Sequence, residues 1–399
     1  MGINYWPART AMGWWTDFDR SETLADFSRI AAAGFDSVRL FLLWEAFQPT
    51  PTSIDSAMLD RLVVVVDMAH QAGLGVMPTL FTGHMSGVNW IPPWALGKGD
   101  GDGRFRVVSG GSVSRRRPLD WYGDATIGEA QARLAGEAAR ALASHPALFA
   151  WDLGNENSNC VVPADRAHGL AWLERISGSI RVADSTAAIT LGLHMEDLEQ
   201  DRHLGPKEAA TVCDFLTMHG YPGYCTWSAG PTDERLLPFL TRLTRHLGDG
   251  AEVLFSEFGV PTRGDDEVDD AAASPPRLVS EEAAATYVGR ALPLLREAGA
   301  TGAMLWCHSD YDRALWTLPP LDEATHERSF GLWRADGREK PAIGAIRAFQ
   351  RTLATSTDGL TAQVPPDEAW LDVGPDEFYR SPERELPRLF GRYCAALGR

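Results

Sequence analysis

The stretch "LFAWDLGNENS", residues 148–158, begins as an apolar run and stops on Gly154-Asn155-Glu156-Asn157. Such a pattern reads as a buried strand leaving a core. A Glu at the mouth of a core is costly unless it is paired or used. Seven similar runs occur along the chain: 3–6 (INYW), 37–44 (SVRLFLLW), 75–81 (GVMPTLF), 187–194 (AAITLGLH), 214–219 (DFLTMH), 252–258 (EVLFSEF) and 302–307 (GAMLWC). With 147–154 they make eight. Amphipathic segments near 21–33, 57–72, 126–144, 164–183, 233–247, 281–298 and 341–355 alternate with them. The fifth connection, 206–213, is short and weak. Ala33-Gly34, Ala72-Gly73 and Ala298-Gly299 fit glycine-terminated helices just before a strand. Eight strands alternating with helices imply parallel pairing, and eight is the number that closes a (β/α)8 TIM barrel. The alternative is an open, doubly wound sheet. The reading gives a barrel over 1–356 and a C-terminal extension over 357–399.

Polar residues gather at the C-terminal ends of these strands. The second strand carries Arg39, and the third runs out to His84. The fourth ends in Asn155-Glu156, the sixth in His219-Gly220-Tyr221, and the seventh in Ser256-Glu257-Phe258-Gly259. The eighth gives Trp306, then His308 and Asp310. In a parallel barrel these ends converge on one mouth. Strands four and seven lie on opposite sides of an eight-strand ring, so Glu156 and Glu257 face each other. Facing carboxylates suit glycoside cleavage, which needs one protonated to donate to the leaving oxygen and one ionised at the anomeric carbon. Their surroundings must then push the two pKa values apart. Read singly, each Glu is equally a salt-bridged structural carboxylate.

"WDLGNE" and "LFSEFG", with Arg39, "HGYP" at 219–222 and "LW" at 305–306, resemble the clan A glycoside hydrolases. The nearest likeness is to family 5, the cellulase, β-mannanase and β-mannosidase group. "GINYWP" at 2–7 and "SFGLWRADGREKPA" at 329–342 also resemble its mannosidase-like members. The likeness covers residues 1–355. It implies a retaining double displacement, with Glu156 as acid/base and Glu257 as nucleophile, and a carboxyl separation of roughly 5–5.5 Å. It implies that Arg39 hydrogen-bonds Glu257 and keeps it ionised, and that Tyr221 orients Glu257. Asn155 would meet the sugar 2-hydroxyl, His219 and His84 other hydroxyls, and Trp306 would floor the sugar. Trp6, Trp44, Trp90, Trp94 and Trp316 are candidate subsite walls, since aromatic faces suit sugar C–H faces.

Each supporting residue also has a plainer reading. Arg39 could pair with Asp152 or Asp36. Trp90 and Trp94 could simply pack a lid, and Trp6 and Trp44 could be core. His308 and Asp310 could set specificity or form a hydrogen-bonded loop pair. Glu45 reads as a solvated or paired carboxylate. Residues 82–96 read as cover for a site, and 97–118 and 264–275 as disordered loops. In the tail, Ser381-Pro382 opens a helix whose stripe of Leu386, Leu389, Phe390, Tyr393 and Leu397 packs on the barrel or in a dimer.

Composition sets the outer limits. The net charge of −17 repels phosphate backbones and argues against nucleic acid. No apolar run is long enough to span a bilayer, so no membrane partner is expected. Five Cys without C-x-x-C spacing suggest a reduced compartment and no thiol metal site. The N-terminus shows no basic or apolar leader, which fits a cytoplasmic protein or one whose signal peptide has been removed. No cofactor is expected. A binuclear metal hydrolase using His84, His194, His219 and His308 is the rival chemistry, but such barrels open with paired His where this one offers Asn4-Tyr5-Trp6. A catalytically dead sugar-binding barrel is the non-enzymatic rival. The expected substrate is an oligosaccharide or glycoside, cleaved by an exo-acting β-mannosidase-like enzyme, with endo-β-mannanase or β-glucosidase/cellulase as runner-up. The expected assembly is a monomer or homodimer.

Overall fold

A computed structural model of the 399-residue chain describes residues 1–99, 101–264, 276–355 and 364–398. Eight parallel strands form the central sheet: Gly2–Asn4, Ser37–Phe41, Gly75–Thr79, Trp151–Asn155, Ile189–Gly192, Leu216–His219, Val253–Phe258 and Gly302–Leu305. Each pairs with the next in sequence from the sixth round through the eighth and first to the fifth. The last seam, between the fifth and sixth, closes through a parallel bridge at His194 and His219. Asp214 N, at 2.8 Å from Ile189 O, and His219 N, at 2.9 Å from Leu193 O, hold the two ends of that seam. The eight-strand sheet is therefore a closed TIM barrel, not an open doubly wound sheet.

The helices form where the sequence places them because their ends are specified locally. Arg20–Ala32, Ser56–Gln71 and Ala125–Ala141 are capped by the side chains of Asp19, Asp55 and Asp124, each accepting two backbone N–H groups. Gly34, Gly73 and Gly299 take positive φ of 91°, 77° and 84° where helices turn into strands, a conformation an L side chain resists. The fifth connection has only two single-turn pieces, Glu196–Glu199 and Pro206–Ala209.

The described residues of 97–118, all but Asp100, depart from the expected disorder. Arg106–Ser109 and Ser112–Ser114 form a hairpin that extends Gly83–Met85 and Val88–Trp90 into a four-stranded sheet over the barrel mouth. Val107 and Val108 are buried, and the arginines that suggested solvation are anchors instead. Arg106 forks onto Asp322 at 2.8 and 2.9 Å, and Arg104 onto Glu196 at 2.5 and 2.6 Å. Of 264–275, all but Gly264 lies outside the described residues.

The helix Pro382–Ala396 buries Leu386, Leu389, Phe390 and Tyr393. Phe390 and Tyr393 meet Phe239 of helix Leu236–Leu247 at 5.2 and 5.6 Å between centroids, and Phe390 meets Trp227 at 5.1 Å. The stripe thus packs on the barrel's outer wall.

Candidate active site

At the centre of the barrel lies a fully buried guanidinium. Arg39 receives two carboxylates: Asp152 Oδ2 sits 2.6 Å from one terminal nitrogen and 3.0 Å from Nε, and Glu257 Oε1 sits against the other terminal nitrogen. Asn4 and Asn155 accept from its terminal nitrogens at 3.2 and 2.7 Å, and Thr79 shares the Nε–H with Asp152 at 3.0 Å. Arg39 thus meets both Asp152 and Glu257, while Asp36 pairs with the N-terminal ammonium.

Three strands lose regular register where they reach the mouth: the fourth between Asp152 and Asn155, the sixth between Met218 and His219, and the seventh between Phe255 and Phe258. Such irregularities re-aim side chains beside a site. Glu156, just past the fourth strand, adopts the left-handed conformation, φ 49° and ψ 45°. That costs roughly 1–3 kcal/mol for a residue with a side chain. Its N–H is tied to Gly192 O at 3.0 Å, and its carbonyl accepts Asn159 N at 2.9 Å. Gly192 permits this approach: a Cβ there would lie 2.6 Å from Gly154 O.

These devices bring Glu156 and Glu257 together. One carboxylate oxygen of each, with a ring nitrogen of His219, lie within 4.8 Å of one another. His219 Nδ1 shares a hydrogen bond with Glu156 Oε1 at 3.0 Å and stands 3.6 Å from Glu257 Oε2. It sits between the two acids rather than out where a sugar hydroxyl would be met first. The Tyr221 hydroxyl donates to Glu257 Oε2 at 2.7 Å. Glu156 Oε2 faces the other way, 3.4 Å from Asn159 Nδ2 and 3.7 Å from His194 Nδ1. His194 is backed by Ser158 at 3.0 Å, whose hydroxyl donates to Asp197 at 2.6 Å.

The electrostatics separate the two acids. Burial, then the negative charge of Glu257, holds the Glu156 carboxyl well above the ordinary carboxylate value. Burial raises Glu257 too, but the Arg39 guanidinium and the Tyr221 donor oppose it. Glu257 is therefore the acid that ionises first. Burial pushes His219 well below its usual value and His84 down to about 4, so both imidazoles are neutral at pH 7.

The two acids open into a cavity of about 370 Å³, also lined by His84, Asn155, His219, Tyr221 and Trp306. One amide N–H of Asn155 donates to His84 O, and its carbonyl oxygen accepts from Arg39. His84 is fixed by Asn89 at 2.7 Å. Four other sequence candidates lie away from the cavity because packing consumes them. Trp90 donates to Met85 O at 3.4 Å, and Trp94 donates to Gln48 O at 3.1 Å while standing edge-on to Trp44. His308 is buried 3.3 Å from Asp26, between Tyr5 and Trp333. Trp316 carries Arg328 on its face at 4.8 Å. Trp6 and Trp44 are core, and Asp310 pairs with Lys340 at 2.7 Å rather than with His308. Glu45 accepts Gly110 N at 2.8 Å.

Asn159, Arg104, Glu196 and Glu327 are among the lining residues that sequence reasoning passed over. Glu327 is buried and accepts from Ser86 at 3.0 Å and from Trp306 Nε1 at 3.3 Å. It lies in a loop without periodicity, and Arg104 lies in a stretch whose composition mimics disorder. Glu196, two residues beyond the end of "LGLH", was within reach of the strand-end argument.

The four-histidine metal centre does not assemble, since His84, His194 and His308 hold the separate partners named above. Among the described residues one group could enclose a cation, Glu156, His219 and Glu257. There a cation would compete with Arg39 and Tyr221 for the oxygens of Glu257.

No protein-family model matches the chain. It is similar to "Putative mannan endo-1,4-beta-mannosidase 5" of Oryza sativa subsp. japonica, 24% identical over 393 residues, covering 89% of this chain and 76% of that protein. Among solved structures, the exo-beta-1,4-mannosidase Op5Man5 from Opitutaceae bacterium strain TAV5 superimposes with a TM-score of 0.70 at 30% identity, over 88% of this chain. The chain is similar to the family 5 glycoside hydrolases of clan A. The family 5-like chain spans 59% of the length of Op5Man5. A GH5_18 protein from Streptomyces cattleya, in complex with GlcNAc, matches 98% of it with a TM-score of 0.78 at 24% identity, over 88% of that protein. This last likeness speaks to the barrel alone.

Asp152→Asn removes one of the two counter-charges of Arg39. Breaking a buried ion pair from one side costs about 3–5 kcal/mol. We expect a loss of that order in denaturant unfolding, with a lowered Tm.

Proposed function

We propose that the protein is a retaining, exo-acting β-mannosidase that removes a terminal mannose from short β-linked oligosaccharides. One observation carries this reading: two carboxylates in unlike surroundings, one beside a guanidinium and one not, with oxygens within 4.8 Å at one cavity. That spacing leaves no room for the water that an inverting enzyme holds between acids roughly 6.5–9.5 Å apart.

In the first step Glu257 attacks the anomeric carbon while Glu156 gives its proton to the glycosidic oxygen. The leaving group departs and a glycosyl ester on Glu257 remains. In the second step Glu156, now a carboxylate, takes a proton from water. The water oxygen bonds to the anomeric carbon and frees Glu257. Arg39 and Tyr221 hold Glu257 ionised and aimed. His219 holds Glu156 on one oxygen and leaves the other toward the leaving group. The second amide N–H of Asn155 is placed for the sugar 2-hydroxyl, and Trp306 for the sugar's C–H face.

Exo action is favoured by how the cavity is walled. The loop after the third strand and the loop after the eighth are clasped by Ser86 to Glu327 and by Arg106 to Asp322, both across the mouth. A chain cannot run through a clasped end. The mannoside preference draws on Op5Man5 and on the rice relative, whose names are those of a β-1,4-mannosidase and an endo-mannosidase. The partner is accordingly an oligosaccharide. No helix among the described residues is long and apolar enough to cross a membrane.

Aryl β-mannoside, β-glucoside and β-galactoside, alongside manno-oligosaccharides, test the proposal directly. Release of mannose one unit at a time is expected; mid-chain products would overturn exo action. Glu257→Gln should abolish turnover with the fold intact. Glu156→Ala should lower turnover of poor leaving groups by about 10²–10⁴-fold. Azide should restore it on activated substrates, giving a β-mannosyl azide. The pH–rate profile should be bell-shaped. Because Glu257 must be ionised to attack, Tyr221→Phe, which removes a donor to its charged form, should move the acidic limb to higher pH. An unmoved limb would remove Tyr221 from that role.

A further inference from the structure

The cavity around Glu156 and Glu257 ends on one side at Arg104 and Phe105. A second cavity, of about 430 Å³, begins on the other face of the same two residues. The partition is layered. Phe105 packs on His84 with centroids 4.2 Å apart, and the Arg104 guanidinium lies 4.5 Å above the Phe105 ring. Arg104 is held in place by its fork onto Glu196, which Arg202 also grips at 2.7 Å.

Its position relative to the acids gives the partition a side. Arg104 reaches Asn159 Oδ1 at 3.3 Å, and the amide of Asn159 reaches Glu156 Oε2 at 3.4 Å. That oxygen is the one turned away from His219. A proton donor stands beside the oxygen that departs, so the partition stands on the leaving-group side.

We propose that Arg104 and Phe105 are a gate that ends the site after one leaving-group sugar, and that the outer cavity takes the second. This rests on the function proposed above. The outer cavity suits a neutral sugar: Arg116, anchored through Nε and one terminal nitrogen to Gly97 O and Leu96 O, turns its other terminal nitrogen to hydroxyls, and Phe105, Pro118 and Val161 offer apolar faces to ring C–H groups. The gate can yield. The Arg104 side chain is 53% exposed, and ion pairs that exposed are weak and screened by salt. A trisaccharide must displace Arg104 from Glu196, whereas a disaccharide need not. Short substrates are therefore preferred because the gate is shut, not because the space beyond it is missing.

The test compares kcat/KM for β-1,4-mannotriose with that for β-1,4-mannobiose, as a ratio, in wild type, Arg104→Ala and Glu196→Gln. Glu196→Gln keeps the size of the side chain while removing its charge. Thermal melting checks that each variant folds. General damage lowers both substrates alike and leaves the ratio still. The gate predicts a ratio raised at least threefold in both variants, carried by a lower KM for the trisaccharide. It also predicts a wild-type ratio that rises with salt. A ratio within twofold of wild type in either folded variant overturns the gate. An aryl β-mannoside needs no leaving-group sugar and reads the underlying function separately. If wild type fails on it, the β-mannosidase reading falls and the gate with it; if wild type cleaves it and the ratio stays flat, only the gate falls.

Discussion

A guanidinium with no access to water governs this molecule. Arg39 stands on the second strand inside the barrel, where a lone cation would be intolerable. Its charge is met by Asp152 from below and Glu257 from above. The lower pair ties the second strand to the fourth, and the upper pair ties it to the seventh. The same residue therefore joins the strands that carry both acids. Stability and reactivity are not separable here. Glu257 is an uncomfortable acid in a buried place, and the cation that the barrel must neutralise is also what opposes its protonation.

Opposite Glu257 the logic inverts. Glu156 has no guanidinium of its own; its hydrogen-bond neighbours are the His219 imidazole and the Asn159 amide. Burial therefore wins, and its proton is retained. Two identical side chains acquire different chemistry because one was given the Arg and the other was not. The left-handed turn at Glu156 and the register breaks beside it are the backbone's contribution. They place a carboxyl in a spot that regular strand geometry would not reach.

Much of this was legible in the sequence. Alternating apolar runs and helix caps give the eightfold repeat because both depend on local chemistry. The strand-end rule then gives Glu156, Glu257, Arg39, Asn155, His219, Tyr221 and Trp306, since a parallel barrel collects whatever its strands end on. Tryptophans were harder. Trp90, Trp94 and Trp316 look like subsite walls by residue type, and only packing reveals that they lie outside the cavity lining, Trp316 with Arg328 on its face. His308 stands at a strand end but turns toward Asp26. Arg104 was hidden differently. Its surroundings are Gly, Ser and Arg, and the ion pairs that order them connect loops far apart in sequence. Composition reports what a segment could do alone, not what it meets.

The sparse fifth connection has a consequence for the chain's far end. Where other barrel segments lay a long helix against the sheet, 193–215 supply two single turns. The helix Pro382–Ala396 lies against one of them, Glu196–Glu199, and against the neighbouring helix Leu236–Leu247. Tyr379 reaches in and donates to Asp197 O at 3.1 Å. This helix is thus a patch sewn over a thin place in the wall, behind the residues that line the cavity. Shortening the polypeptide there would strip cladding directly behind the reaction chamber, so its terminus belongs to the architecture of the site as much as any loop at the rim.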